Sequence, residues 1–255
     1  MSLTGENVRP RALVEASITH PEAVSQQARL HRLWAKVEYD GTDFFGFQVQ
    51  AVERTVQGEI ERALEAITGV ETRVRGAGRT DRGVHARGQV IGFEVRWKHS
   101  VGELQRALNA ILSADVAIVE MGVASEGFHP RFDALSRTYR YSLLNQSGRS
   151  PLARRGAWHV EQWLDVIPMA QASDCLVGSH DFGAFGRPPQ GQNSVRRVLR
   201  AEWKEQRPVL EFDIEANAFL YRMVRSIVGT LVLVGSGQVS VEEFETILAS
   251  KDRSQ

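Results

Sequence analysis

The sequence predicts an α+β fold made of two split βαβ halves, and three observations carry that prediction. Apolar residues alternate over short runs that read as strands, and they recur at helical spacing over longer runs. In the first half the runs follow the order β-α-β-β-α-β. After Phe128 a similar order begins again, without a sequence repeat.

Residues 1–28 show no sustained periodicity and scatter Pro, Gly, Ser and Gln, so they read as a loosely ordered extension. Residues 29–127 form the first predicted unit. Leu33 to Tyr39 alternates like a strand, and a Gly- and Phe-rich loop runs from Asp40 to Gln50. Thr55 to Thr68 has helical spacing, with Val56, Ile60, Ala63, Leu64 and Ile67 on one face and Gly69 as the stop. Val70 to Arg75 and Gly88 to Val95 are predicted strands. Val101 to Leu112 is a helix with Leu104, Leu108 and Ile111 inward, and Val116 to Val123 is a fourth strand.

Residues 128–255 form the second unit. Ser136 to Leu144 reads as a strand and Trp163 to Leu176 as a helix. Val195 to Lys204 and Val209 to Ala216 read as strands. Phe219 to Val234 is an apolar helix and Val241 to Leu248 a short amphipathic one. No strand follows before Gln255, so this half is expected to lack a terminal strand. Two ferredoxin-like halves of this kind are expected to join their antiparallel sheets edge to edge. Their helices then lie on one face, and a central cleft is left for an elongated ligand such as RNA.

A chain of 255 residues with 42% apolar content can bury a real core. The single cysteine, Cys175, excludes an internal disulfide framework and lies in an apolar run, Cys175-Leu176-Val177, that predicts a buried structural thiol. No stretch reads as a signal peptide or a membrane span, so a soluble, cytoplasmic protein is expected. Lys and Arg total 31, as do Asp and Glu, so net charge gives no hint of nucleic acid. The distribution does. Arg73, Arg75, Arg79, Arg82 and Arg87 surround Asp81 in sequence, and Arg131, Arg137 and Arg140 face only Asp133.

Three segments carry candidate chemistry. The first runs from Gly76 to Val90. Its four glycines between strands predict tight turns or close approach of another backbone. Its single carboxylate, Asp81, is expected to be held ionised by the arginines, which suits a nucleophile better than a general acid. The plainer reading is an Asp capping a turn. The second segment runs from Phe219 to Gly229, with Arg222 and Arg225 in an otherwise apolar predicted helix. A guanidinium there must reach solvent or find a carboxylate, and Asp81 is the candidate partner for Arg225. The third joins Phe128-His129-Pro130-Arg131-Phe132-Asp133 to Arg137-Thr138-Tyr139-Arg140-Tyr141. Aromatics interleaved with arginines suit stacked bases and phosphates, with stacking worth about 1–3 kcal/mol per base. Tyr139 and Tyr141 share one face of a strand, and Arg140 takes the other. His85, His129 and His180 have no metal-ligand spacing, and no Walker or GxGxxG motif is present, so neither metal nor nucleotide cofactor is expected.

Together these segments resemble the tRNA pseudouridine synthase A family from about Leu33 to Arg253. The most specific element is Gly78-Arg79-Thr80-Asp81 with Gly83-Val84-His85-Ala86 and Gly88-Gln89-Val90. Four others follow in the right order: Tyr39-Asp40-Gly41-Thr42 with Gly46-Phe47-Gln48, Phe128-His129 with Arg131-Phe132, His180-Asp181-Phe182, and Met223-Val224-Arg225 with Ile227-Val228-Gly229. The resemblance implies conversion of uridine to pseudouridine at nucleotides 38, 39 and 40 of the tRNA anticodon stem-loop, with no cofactor and no metal, by a homodimer. It implies that Asp81 is the catalytic aspartate, that Arg79 helps extrude the target nucleotide and that Tyr139 packs on the target base. It implies that Arg225 pairs with the aspartate. Phe128, His129, Arg131 and Phe132 match an RNA-contacting segment, and the loop with Gln190, Gln192 and Asn193 matches another. The family pattern often has Trp where Phe47 stands, and it continues past Lys251 to Arg253 with a Pro-containing loop and a last strand. The alternatives are a non-catalytic RNA-binding protein of the same fold, which has no need of an acid beside phosphates, and a nucleosidase-like hydrolase, which usually pairs two carboxyl groups.

Overall fold

The computed structural model describes residues 29–188 and 191–252. The predicted extension at residues 1–28 therefore lies outside the described residues. The first half contains β1 (Arg29–Tyr39), α1 (Val56–Thr68), β2 (Arg75–Gly76), β3 (Ala86–Trp97), α2 (Val101–Ile111) and β4 (Val116–Val123). The strands lie in the order β2-β3-β1-β4, and every neighbouring pair is antiparallel. β3 separates β1 from β2, which is the split βαβ arrangement. Period-two alternation explains the sheet's two faces: Leu33, Ala35, Val37 and Tyr39 of β1 are buried under the helices, and the intervening side chains face the open side. Ile60 and Leu64 of α1 and Leu104 and Leu108 of α2 meet them in one core. Thr55 caps α1 by accepting from the Gly58 N–H at 3.2 Å, and Gly69 ends it in the left-handed conformation at φ 71°. Ser100 and Glu103 form a reciprocal capping box on α2.

The predicted strand from Val70 to Arg75 is mostly not one. Only Arg75 and Gly76 enter the ladder, opposite Gly92 and Ile91. Side chains of α1 satisfy the preceding backbone instead: the Gln57 amide donates to the Val74 carbonyl at 3.0 Å, and Glu61 accepts from the Val74 N–H at 2.9 Å. A segment whose polar groups are met by a helix has no call for a strand partner.

The second half contains β5 (Arg137–Asn145), β6 (Trp158–Val160), α3 (Val166–Asp174), β7 (Gly178–Asp181), β8 (Val195–Gln206), β9 (Val209–Ala216), α4 (Met223–Gly235) and α5 (Val241–Ser250). Its sheet order is β6-β5-β9-β8-β7. β5, β9 and β8 repeat the placement of β1, β3 and β2. β6 lies beside β5 where β4 lies beside β1, but it runs parallel. β6 and β7 were not predicted, because three and four residues are too short to show a period. Phe182, Phe185, Phe212 and Phe244 are fully buried in the core with Leu231 of α4 and Met169 of α3.

Two boundaries move with physical cause. α3 starts at Val166 rather than Trp163, because Asp165 caps it by accepting from the Ile167 N–H at 2.9 Å. α4 starts at Met223 rather than Phe219. Asn217 donates its N–H to the Arg197 carbonyl, Tyr221 bridges to Arg187, and Arg222 stands at φ 62°, so residues 217–222 are tied to β8 and its neighbours before the helix can begin. The two sheets are hydrogen-bonded separately, so the expected edge-to-edge join is made by side chains and loops along a seam rather than by a continuous ladder. No helix among the described residues is long and apolar enough to cross a membrane.

Candidate active site and RNA cleft

A cleft of about 3050 Å³ opens between the halves, walled by the β2–β3 connection on one side and by β5 and the start of α4 on the other. The glycines of the first half make its floor possible. A Cβ on Gly41 would lie 2.0 Å from the Val84 carbonyl oxygen, and one on Gly46, at φ +92°, would lie 2.7 Å from that of Thr80. Only glycine lets the loop after β1 pack this closely on the loop that carries Asp81. Backbone bonds fix the contact: the Phe47 N–H donates to Thr80 O at 3.1 Å and the Gly83 N–H to Phe44 O at 3.3 Å. The buried Gln89 side chain donates to Gly78 O at 2.6 Å and accepts from the Gly78 N–H at 3.3 Å. Tyr39 bonds the Thr80 hydroxyl at 2.8 Å, and burial pushes its phenol up to about 12.

Asp81 is half-buried on this floor and lines the cleft. Among the described residues its carboxylate makes no ion pair or hydrogen bond, so the expected crowd of guanidinium groups does not close on it. Arg73 turns away to Glu61 at 3.0 Å, and Arg82 stacks over the Phe45 ring at 4.0 Å. Stacking and competing carboxylates absorb charges that sequence proximity alone assigns to Asp81. Tyr139 lies across the cleft floor, its ring edge against Phe219 with centroids 4.9 Å apart. Burial first, and the Asp81 charge second, raise its phenol above the ordinary value, so it stays a neutral hydroxyl.

Arg225 does not pair with Asp81. It sits in the first turn of α4, exposed, on the cleft wall. The expected pairing is not made because the helix begins four residues later than the apolar run suggests, which leaves Arg225 at a solvated helix end. Arg79 and Arg131 are exposed on the cleft, and Phe128 and His129 line it half-buried. Phe132 is exposed and leans on His129 with ring centroids 4.3 Å apart. Gln192 and Asn193 are exposed outside the cleft lining, and Gln190 lies outside the described residues. His85 ties the floor to the second half: its Nε2 meets the Arg155 carbonyl at 2.8 Å, so that nitrogen carries a proton, and the Gly41 N–H faces its Nδ1 at 3.2 Å.

The chain was compared with known proteins. The profile of the tRNA pseudouridine synthase family matches residues 35–133 and 172–255. The chain belongs to this family. A protein of Geobacter sp. (strain M21) named tRNA pseudouridine synthase A is 43% identical over 220 residues, covering 86% of this chain and 89% of the relative. Relatives of the same name from Halalkalibacterium halodurans, 42% identical over 88% of this chain and 86% of theirs, and Chloroflexus aurantiacus, 45% identical over 84% and 79%, agree.

For a member of the tRNA pseudouridine synthase family, sequence reasoning missed part of the cleft. Arg140, Lys204 and Asp213 form a cluster on the open face of the second sheet. Asp213 is buried, takes the Arg140 guanidinium in two bonds at 2.7 and 2.9 Å, and takes Lys204 at 2.8 Å. Those bonds, Arg140 first, hold its carboxyl well below the usual range. Arg140 and Asp213 are directly opposite across the β5–β9 pair, a register that sequence cannot supply. Arg196 also lines the cleft, and its Nε is a buried donor with no acceptor among the described residues. Cys175 is half-buried rather than buried, because Leu176 takes the core position. Its thiol donates to Glu245 at 3.1 Å, and burial pushes it up to about 11.

Proposed function

We propose that this chain isomerises uridine to pseudouridine in the anticodon stem-loop of tRNA, at nucleotides 38, 39 and 40, with Asp81 as the catalytic carboxylate. The observation that carries this reading is the Asp81 carboxylate, without a partner among the described residues, on the floor of a cleft of about 3050 Å³ lined by arginines from both halves. A structural capping aspartate would spend its oxygens on neighbouring N–H groups, and this one does not.

The reaction breaks the N1–C1′ bond, turns the uracil, joins C5 to C1′, gives up the C5 proton to solvent and places a proton on the freed N1. No electrons enter or leave. The carboxylate acts at C6 of the base, at C1′ of the ribose, or on the C2′ proton. Before this the nucleotide must leave its stack, at a cost of a few kcal/mol. Arg79, exposed beside Asp81, fills the vacated space. Tyr139, held by Phe219, offers a ring to the base. Phe128, His129, Arg131 and Phe132 follow the strand, as do Gln190, Gln192 and Asn193. Arg225 meets Asp81 or a phosphate once RNA narrows the cleft. The enzyme acts in the cytoplasm as a homodimer, with one tRNA touching both subunits.

The test is tritium release from 5-labelled uridine in tRNA. Asp81→Ala is expected to give no release while tRNA binding survives. Full release by the variant removes Asp81 from the chemistry.

A further inference from the structure

We propose that Arg137 is a positioning residue that locks the Asp81 loop to the second half of the molecule; this rests on the reading of Asp81 above. Its half-buried guanidinium donates to three carbonyl oxygens in three different segments. Nη1 reaches Asn217 O at 2.7 Å, and Nη2 reaches Ala77 O at 3.0 Å and Arg131 O at 2.6 Å. Ala77 opens the loop that leads to Asp81. Arg131 belongs to the aromatic and basic segment on the cleft rim. Asn217 begins the turn that delivers Tyr221, Arg222 and then Arg225.

Arg137 sits two residues before Tyr139 on β5, so the two side chains leave the strand on the same face. One fork therefore sets the distance between the Asp81 loop and the Tyr139 ring. Its acceptors are all neutral. Among the described residues no carboxylate pairs with it, unlike Arg140 three residues on. Arginine suits the task because its planar fork directs donors along fixed lines, whereas a lysine ammonium must choose among the three acceptors. In sequence Arg137 reads as one more phosphate-binding arginine of a basic run. The tertiary structure turns its donors inward onto the protein.

The experiment compares Arg137→Gln and Arg137→Lys with the wild type in single-turnover pseudouridine formation at saturating tRNA. tRNA affinity and amide hydrogen exchange of residues 76–82 are measured on the same samples. Both variants are expected to lose about 100-fold in rate, the scale of a misplaced reacting group, with affinity within a fewfold of wild type and faster exchange in the loop. A full rate in Arg137→Gln overturns the proposal. So does weakened affinity at an unchanged saturated rate, which makes Arg137 a phosphate contact. So does a lost rate with loop exchange unchanged. If Arg137→Gln melts below the assay temperature, Arg137→Lys, which keeps the charge and the stem, decides between the same outcomes. Asp81→Ala is run beside them. Activity in that variant sinks the role of Asp81, while the exchange data still report whether Arg137 holds the loop.

Discussion

Gly41 and Gly46 show how much of the site depends on the absence of a side chain. Both face carbonyl oxygens of the Asp81 loop at distances that no Cβ tolerates, and Gly46 adds a positive φ. Gly46→Ala is expected to cost about 1–3 kcal/mol from strain alone and to displace Asp81. Thermal melting and tritium release should therefore fall together. Wild-type melting with wild-type turnover would mean the loops can part freely. Cys175 gives a second test at this scale. With its thiol pushed up to about 11, it carries little thiolate at neutral pH. Iodoacetamide at pH 8 should label it far more slowly than free cysteine, and rapid labelling would contradict the bond to Glu245.

Paired strands β5 and β9 turn a buried carboxylate into a support for two cleft-facing cations. The folded-state pKa of Asp213 is depressed by Arg140 and Lys204. Its stabilisation is therefore fully present above the unfolded carboxylate value of about 4, and it drains as pH falls below that toward the folded value. Hydrogen bonds to charged groups are worth about 1.5–3 kcal/mol, so Asp213→Asn should lower stability at pH 7 by that order. The loss relative to wild type should shrink as the pH is lowered below about 4. Urea melts at pH 7 and at pH 3 measure both, and an equal difference at the two values would refute the linkage. The long elements, α1, α2, β3 and β8, were legible because periodicity accumulates over many residues. β2, β6 and the start of α4 were not. Their limits are set by partners far along the chain: Gln57 and Glu61 at Val74, β5 beside Trp158, and Arg187 beside Tyr221.

Across the whole molecule the cleft gathers arginines from both halves, and the balanced net charge conceals this. Affinity for tRNA is expected to fall steeply with added salt, because phosphate neutralisation releases counterions. A flat response in filter binding between low and high salt would remove phosphate contacts from the account. Arg225→Ala should melt within about 0.5 kcal/mol of wild type, as surface substitutions do, yet lose turnover or affinity. A large drop in melting temperature would show that Arg225 is held by a partner in solution. Dimerisation is read by light scattering on the free protein, and a monomer at assay concentration would count against the shared-tRNA arrangement.

By itself the sequence determined the α+β class, the split βαβ order and the family, and it singled out Asp81 as the acid to test. Each of these is written in local periodicity or in contiguous motifs. Tertiary structure alone decided which charges meet. It left Asp81 without a partner among the described residues, moved Arg225 to an exposed helix end, sank Asp213 beneath Arg140 and turned Arg137 onto three carbonyls. The physical reason is that ion pairs and hydrogen bonds act over a few ångströms, and separation along a chain says little about separation in space until strands have chosen their register.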